Sequence, residues 1–193
     1  WKMILEGRDG FGPVPEDRWP VEAIFSTNRR ATDKSYAPAG AFIEDIQSFP
    51  ALTFGLPPRR VEVMDPQQRL ALETAVQAIE DAGYTPDEMP HRTGVFLGIT
   101  AHEYRVLNAF RLGATLMASG FLGEGPEDPT SIIESIEHIV PTRPYTAPGT
   151  LGNMSAAIIA QELNLHGPAY TTDAACASAH MAMYDAIQQL RTG

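Results

Sequence analysis

The clearest pattern of apolar and polar positions predicts a helix that begins after Asp65. Asp65 can cap the free N–H groups of a first turn, and Pro66 suits the first helical position because no backbone N–H is needed there. Gln68 stands where a capping box places its second residue. An apolar stripe at helical spacing follows and ends at a glycine: Leu72, Val76, Ile79 and Gly83.

Two further stretches have the character of strands. Residues 95–99 form a continuous apolar run, which is the pattern of a parallel strand buried on both faces. Residues 170–172 form a second candidate strand near the end of the chain. Because a helix precedes the first of these strands, the pattern indicates α/β layering. Additional helices are predicted at residues 104–116, 131–139 and 153–163.

Glycine and proline occur too often in residues 7–60 for long helices or strands to form there. We expect this part of the chain to be an irregular covering layer with short strands, and residues 41–43 are the best strand candidate. The chain opens on Trp1, inside an apparent helix, which indicates a piece of a larger protein.

Composition limits the classes of function. Of the 193 residues, 44% are hydrophobic and 20% are charged, as in a globular protein. No apolar run reaches the roughly 18 residues that a membrane span needs. The net charge of −10 argues against a nucleic-acid partner, because such proteins need a clustered basic face. The single cysteine excludes an internal disulfide and fits a reducing cytoplasm.

The basic residues include only two adjacent pairs, Arg29 with Arg30 and Arg59 with Arg60. Two interpretations of these pairs stay open. They are either solvated loop charges or a docking site for an acidic partner protein.

Cys176 lies between the second predicted strand and a helix that continues to about Leu190. The neighbouring residues are small, which permits a tight strand-to-helix turn and leaves room for a substrate at the sulfur: Ala174, Ala175 and Ala177. In the first turn of a helix, the positive end of the dipole favours the nucleophilic thiolate. From this placement alone, Cys176 is either a nucleophile or a small core residue.

The helix after Cys176 carries an apolar stripe at helical spacing. We therefore expect this helix to be buried. The stripe consists of Ala179, Met183, Ala186, Ile187 and Leu190.

The chain resembles a known family at several separate motifs. The string DAACAS at residues 173–178, preceded by LHGPAYTT at 165–172, resembles the active-site segment of polyketide-synthase ketosynthases. MDPQQRLALETAVQAIEDAGY at 64–84 resembles the signature helix of that family, and RTGVFLGIT at 92–100 resembles the strand that follows it. WKMILEGRDGFGPVPEDRW at 1–19 resembles the run after the family's first strand.

The chain as a whole thus resembles the N-terminal half of a beta-ketoacyl synthase (ketosynthase) domain. The domain would belong to a multidomain synthase of the polyketide or polyunsaturated-fatty-acid type. The similarity to iterative synthases, such as those that make polyunsaturated fatty acids, lies in the length of residues 105–150 and in the sequence of residues 39–63.

The resemblance implies an α/β, thiolase-like fold, of which residues 1–193 would be an incomplete N-terminal half with a mixed sheet packed on a buried helix. The family's first strand and its C-terminal half, with two catalytic histidines, would lie outside these residues. A homodimer is also implied, because in the family the strand that matches residues 169–173 pairs across a two-fold axis.

The resemblance also implies an acyltransferase of the 3-oxoacyl synthase type. Cys176 would accept an acyl chain from the phosphopantetheine of an acyl carrier protein and condense it with a malonyl-type extender by decarboxylative Claisen condensation. No cofactor would be bound directly, and neighbouring synthase domains would be further partners. Without the family's histidines, these residues alone are expected to be inactive. The alternative is a non-catalytic, ketosynthase-like module for dimerisation or carrier docking.

The five histidines are not interpreted as catalytic or metal-binding residues. His180 follows Cys176 by one helical turn, but the family supplies its histidines from elsewhere, so we expect a hydrogen-bonded structural histidine. The other four lie in or near predicted loops and share no metal-ligand spacing: His91, His102, His138 and His166.

Overall fold

The computed structural model describes residues 1–125, 127–139 and 141–192. The chain forms two compact units, residues 1–46 and residues 47–193. The first unit is irregular, as predicted, with four short elements: α1 (Lys2–Leu5), β1 (Phe11–Pro13), α2 (Val21–Ile24) and β2 (Ala39–Ala41).

Strand β2 lies two residues earlier than the strand predicted at residues 41–43. It pairs antiparallel with β1, and Gly40 stands opposite Gly12 in the ladder. Phe42 lies just beyond the strand; its ring is close to Gly40 and packs edge-on against Trp19, with 5.7 Å between the ring centroids. The ladder ends at Ala41, which pairs with Phe11, the first residue of β1.

The second unit carries nine labelled elements among the described residues. The first four are α3 (Pro58–Val61), α4 (Pro66–Asp81), β3 (Val95–Gly98) and α5 (Val106–Ala118). The remaining five are α6 (Pro129–Ile139), α7 (Thr146–Thr150), α8 (Met154–Glu162), β4 (Ala169–Thr172) and α9 (Ser178–Thr192). Short 3₁₀ turns at Pro86–Glu88 and Glu103–Arg105 precede β3 and α5. The predicted helices and strands of this unit are all present, with ends shifted by one or two residues.

The two strands of this unit pair in parallel, with Val95 opposite Ala169 and Gly98 opposite Thr172. Helices α8 and α9 both pack against the pair, which gives the expected α/β layering. The prediction that residues 95–99 are fully buried is wrong for β3, whose four residues are half-buried. Helices α8 and α9 both pack on β3, but they leave part of each of its residues exposed.

The main core lies between α4 and α8. Its buried side chains are Leu56, Val61, Met64, Leu72, Ile158 and Ile159. Leu72, from the predicted stripe of α4, has no exposed surface. Side chains of this size each contribute about 1.5–3 kcal/mol when fully buried, so this cluster stabilises the packing of α4 on α8 and of residues 56–64 against both helices.

The ends of α4 follow the local signals in the sequence. The Asp65 carboxylate accepts a hydrogen bond from the Gln67 N–H at 2.8 Å, and Pro66 is the first helical residue. The helix ends at Asp81, and Gly83 follows with a φ of +85°. A left-handed φ of this kind favours glycine, which explains why the helix stops there.

The capping box predicted for Gln68 does not form. The Gln68 side chain is instead buried, and its amide donates to the carbonyl oxygens of Pro148 at 3.0 Å and Leu151 at 3.1 Å. These carbonyls lie at the end of α7, where no further helical N–H is available to them. Gln68 thus joins α4 to α7 rather than closing the first turn of its own helix.

Gln68→Leu is expected to lower the free energy of unfolding by about 2–4 kcal/mol, because two carbonyl oxygens would lose their buried donor. Urea denaturation of the complete domain would measure this loss. Gln77→Leu is the matched control, because Gln77 lies on the same helix with its side chain exposed, and it should change stability by less than about 0.5 kcal/mol. Equal effects of the two substitutions would contradict the bridging role.

The helix after Cys176 is present, but the prediction that its apolar stripe is buried is wrong. Ser178 and Ala182 are buried, whereas the side chains of Met183 and Leu190 are 63% and 87% exposed. Among the described residues, α9 packs mainly on β3 and β4, and these strands cover one face near its N-terminus. Of the predicted stripe, Ala186 is half-buried and the other four residues are exposed: Ala179, Met183, Ile187 and Leu190. No helix among the described residues is both long and apolar enough to span a bilayer.

Candidate active site

Cys176 lies in the turn that connects β4 to α9, and its thiol is free and exposed. The sequence predicts that Cys176 lies inside the first turn of the helix. This is wrong by two residues, because α9 begins at Ser178. Two backbone hydrogen bonds shape the turn, from Ala177 N–H to the Ala174 carbonyl at 3.0 Å and from Ser178 N–H to the Ala175 carbonyl at 3.1 Å. The predicted strand-to-helix turn is therefore present. The thiol is accessible to a substrate and is not packed in a core.

The residue before the cysteine has a strained backbone. Ala175 has a φ of +50°, in the left-handed region that costs an L-residue roughly 1–2 kcal/mol. The carboxylate of Asp173 accepts a hydrogen bond from the Ala175 N–H at 3.0 Å and helps to hold this conformation. Strained positions of this kind persist only where surrounding contacts fix them, and they are frequent at reactive sites.

Two hydroxyl groups contact the carbonyl oxygen of Ala175. The Ser178 Oγ lies 2.7 Å from the Ala175 carbonyl oxygen and accepts a hydrogen bond from the Ala174 N–H at 2.9 Å. The Thr100 Oγ1 lies 2.8 Å from the Ser178 Oγ and 3.1 Å from the same carbonyl oxygen. Thr100 comes from the loop after β3, so two distant segments meet at this turn.

A close backbone contact brings these segments together. A Cβ placed on Gly98 would stand 2.5 Å from the Ala179 nitrogen and 2.5 Å from the Ser178 carbonyl carbon. Only glycine lets the end of β3 approach the start of α9 to this extent. Thr100, two residues further along, consequently reaches the Cys176 turn.

The sequence predicts Cys176 as the candidate nucleophile but does not indicate the residues that the structure places around it: Gly98, Thr100, Asp173 and Ser178. A serine at the start of a predicted helix is a signal for a local backbone contact, and that signal could have indicated Ser178. Thr100 and Gly98 carry no comparable signal, because their role depends on the pairing of β3 with β4.

His180 has an exposed side chain, and its ring makes no hydrogen bond to any described residue. The expectation of a hydrogen-bonded structural histidine is therefore wrong. The predicted helix is present, but His180 lies on an exposed face of α9. No hydrogen bond joins His180 to Cys176 among the described residues.

Two of the other histidines, distant in sequence, lie side by side. The rings of His91 and His166 have centroids 5.3 Å apart, and both contact Asn164, through its carbonyl and its side-chain oxygen respectively. Within residues 1–125, 127–139 and 141–192, no cluster of three or more potential ligands could hold a metal ion. The histidine pair packs the loop before β3 against the loop before β4.

The basic pairs differ in their surroundings. Arg60 is not a solvated loop charge, since it lies on α3 and pairs with Glu162 at 3.1 Å, with side chains only 18% and 15% exposed. The guanidinium of Arg29 lies 5.1 Å from the centre of the Tyr36 ring, a cation–π contact. Arg30 and Arg59 are exposed, so these two remain available to a partner.

The whole chain, residues 1–193, matches the protein family described as "Beta-ketoacyl synthase, N-terminal domain". It is 36% identical to the pikromycin polyketide synthase component PikAII of Streptomyces venezuelae, across 100% of this chain and 4% of that protein. It is 35% identical to the polyketide synthase GfsB of Streptomyces halstedii, across 100% of this chain and 3% of that protein. The chain therefore spans only a small part of the length of these relatives.

Solved structures show the same similarity. The oxazolomycin ketosynthase domain of Streptomyces albus superposes with a TM-score of 0.78 at 26% identity, across 100% of this chain and 29% of that one. The ketosynthase from module 6 of the bacillaene synthase of Bacillus subtilis gives a TM-score of 0.69 at 27% identity, across 100% of this chain and 26% of that one. These similarities confirm the predicted α/β, thiolase-like fold. The chain spans under a third of either solved domain.

Proposed function

Because this chain belongs to the beta-ketoacyl synthase family, we propose that it is the N-terminal part of a ketosynthase domain in which Cys176 is the acyl-accepting nucleophile. The observation that carries the proposal is the free, exposed thiol of Cys176 on the strained turn between β4 and α9. A nucleophile at such a turn is open to a substrate while its backbone is held in place.

The proposed reaction has two steps. In the first, Cys176 gives up its proton and its sulfur attacks the carbonyl carbon of an acyl thioester; the carrier's phosphopantetheine thiol leaves with a proton, and the acyl chain remains on Cys176. In the second, a malonyl-type extender on a carrier protein loses carbon dioxide. The carbanion that results attacks the acyl carbon, forms the new carbon–carbon bond and releases the Cys176 sulfur.

Proton transfer and decarboxylation need groups that the turn itself does not supply. His180 does not reach Cys176 by a hydrogen bond, and the paired His91 and His166 pack between loops. We infer that the remainder of the domain supplies the catalytic histidines, as the resemblance implies. The 193 residues alone are expected to be inactive in condensation.

We also propose two binding partners for this chain, an acyl carrier protein and a second copy of the ketosynthase. An acyl carrier protein would deliver the substrates, and the exposed Arg30 and Arg59 supply positive charge on a chain of net charge −10. A homodimer is supported by β4, since one edge of that strand pairs with β3 and the other has no strand partner among the described residues. A free thiol at Cys176 is compatible with a reducing cytoplasm, the location that we propose.

The proposal is tested by incubating the complete ketosynthase domain with an acyl thioester and mapping the adduct by mass spectrometry. Acylation at Cys176, and its loss after prior alkylation of that thiol, is the expected result. An adduct at another residue would contradict the assignment. The absence of any adduct would favour the alternative, a non-catalytic module for dimerisation or carrier docking.

A further inference from the structure

The Ala175–Cys176 peptide group is held from one side by the hydroxyls of Thr100 and Ser178. These hydroxyls carry two protons between them, while three oxygen–oxygen contacts link them to each other and to the Ala175 carbonyl. Both hydroxyls can donate to the carbonyl, or one of them donates to the carbonyl while the other donates to the first hydroxyl. In every arrangement the carbonyl accepts at least one hydroxyl proton, and it accepts the Ser178 N–H as well.

The direction of this carbonyl determines the direction of the Cys176 N–H. All described peptide bonds are trans, so the C=O of Ala175 and the N–H of Cys176 belong to one planar group and are directed to opposite sides. The N–H of Cys176 is therefore directed away from Thr100 and Ser178. An N–H fixed beside a nucleophile can stabilise the oxyanion that forms when the nucleophile attacks a thioester.

The packing at Gly98 gives independent support for a fixed contact between the loop that carries Thr100 and the start of α9. The contact of 2.5 Å that a Cβ on Gly98 would make with the backbone of α9 shows that β3 and α9 are in direct apposition. Ser178 is only 5% exposed, and the Thr172 hydroxyl donates to the Asp185 carboxylate at 3.3 Å, which ties β4 to α9 as well. Thr100 lies two residues after β3 and Ser178 is the first residue of α9, so the close packing of β3 on α9 fixes the distance between the two hydroxyls.

We propose that Thr100 and Ser178 are positioning residues for the reaction of Cys176. Their hydroxyls hold the strained Ala175–Cys176 peptide so that the Cys176 N–H faces the developing oxyanion. This inference rests on the proposed nucleophilic role of Cys176. It adds that the reactivity of Cys176 towards thioesters depends on two hydroxyls that do not contact the substrate.

The test compares two reactions of Cys176 in the complete domain. Acylation by a thioester needs an oriented N–H, whereas alkylation by iodoacetamide passes through no oxyanion. Thr100→Val is expected to slow acylation about tenfold, and the double variant with Ser178→Ala about 100-fold, because the second hydroxyl partly replaces the first. Alkylation is expected to change less than about threefold in both variants.

Thr100→Ser keeps the hydroxyl and is expected to restore acylation to within about threefold of the wild-type rate. Thr115→Val is the matched control, because the exposed Thr115 also donates its hydroxyl to a backbone carbonyl, that of Arg111 at 3.0 Å, but far from Cys176 in the sequence. This control should leave both rates unchanged.

The outcomes separate the two proposals. Wild-type acylation at Cys176 with no effect of Thr100→Val and Ser178→Ala would overturn the positioning role and leave the nucleophile assignment standing. Parallel losses of acylation and alkylation, or a failure of Thr100→Ser to restore acylation, would also overturn it, since they indicate general disruption of the turn. A wild-type domain that is not acylated at Cys176 would overturn both proposals.

Discussion

Replacing Cys176 by alanine is expected to lower condensation by the complete domain at least about 1,000-fold, because alanine has no thiol to carry the acyl chain. The same substitution should change the free energy of unfolding by less than about 0.5 kcal/mol, since the Cys176 side chain is exposed and packs in no core. Product formation from an acyl thioester and a malonyl-type thioester, measured beside a urea denaturation curve, would check both parts.

Ala177→Ser serves as the matched control for this substitution. Ala177 is exposed in the same turn, and a serine there adds a hydroxyl without removing the thiol. Condensation by this variant is expected to stay within about threefold of the wild-type rate. A Cys176→Ala domain that kept more than a tenth of the wild-type rate would rule out Cys176 as the acyl carrier, whatever its stability.

The parts of the fold that the sequence predicts well are those set by local signals. Helix α4 begins at Pro66 because Asp65 caps it, and it stops before Gly83 because that residue adopts a left-handed φ. Both signals act within a few residues of the helix end. The same holds for the strand-to-helix turn at Cys176, where small residues surround the cysteine.

The parts that the sequence does not predict depend on contacts between distant segments. Gln68 has the spacing of a capping box, but two carbonyls about 80 residues later compete for its amide. The hydroxyl pair of Thr100 and Ser178 joins residues that are 78 positions apart. Hydrophobic periodicity carries no information on such pairings, since polar groups find their partners only when the strands have aligned.

The exposed apolar stripe of α9 shows a second property that hydrophobic periodicity does not predict, namely whether an apolar face is covered. Periodicity identifies an apolar face, and the structure confirms the helix, yet Met183 and Leu190 are exposed in this chain. The pattern predicts that a face is suited to burial. Whether it is covered depends on which other segments are present. The relatives that match the chain are much longer, so the stripe could not be judged from these residues alone.

Gly98→Ala is expected to destabilise the complete domain by about 3 kcal/mol or more, because the new methyl group would overlap the backbone of Ser178 and Ala179. Backbone atoms cannot rotate away as a side chain would, so β3 and α9 must separate. Their separation would also break the contact between Thr100 and Ser178. Acylation of Cys176 should therefore fall by more than about 100-fold under conditions where the domain is still folded.

Gly113→Ala is the matched control, because Gly113 lies inside α5 and a Cβ there would meet no atom within 4 Å beyond the adjacent backbone of its own helix. Alanine is the better helix former, so this variant should gain about 0.5–1 kcal/mol of stability and keep its acylation rate. Thermal denaturation and mass-spectrometric acylation rates of the two variants would be compared side by side. If Gly98→Ala were as stable and as reactive as Gly113→Ala, the apposition of β3 and α9 would not control the Cys176 turn.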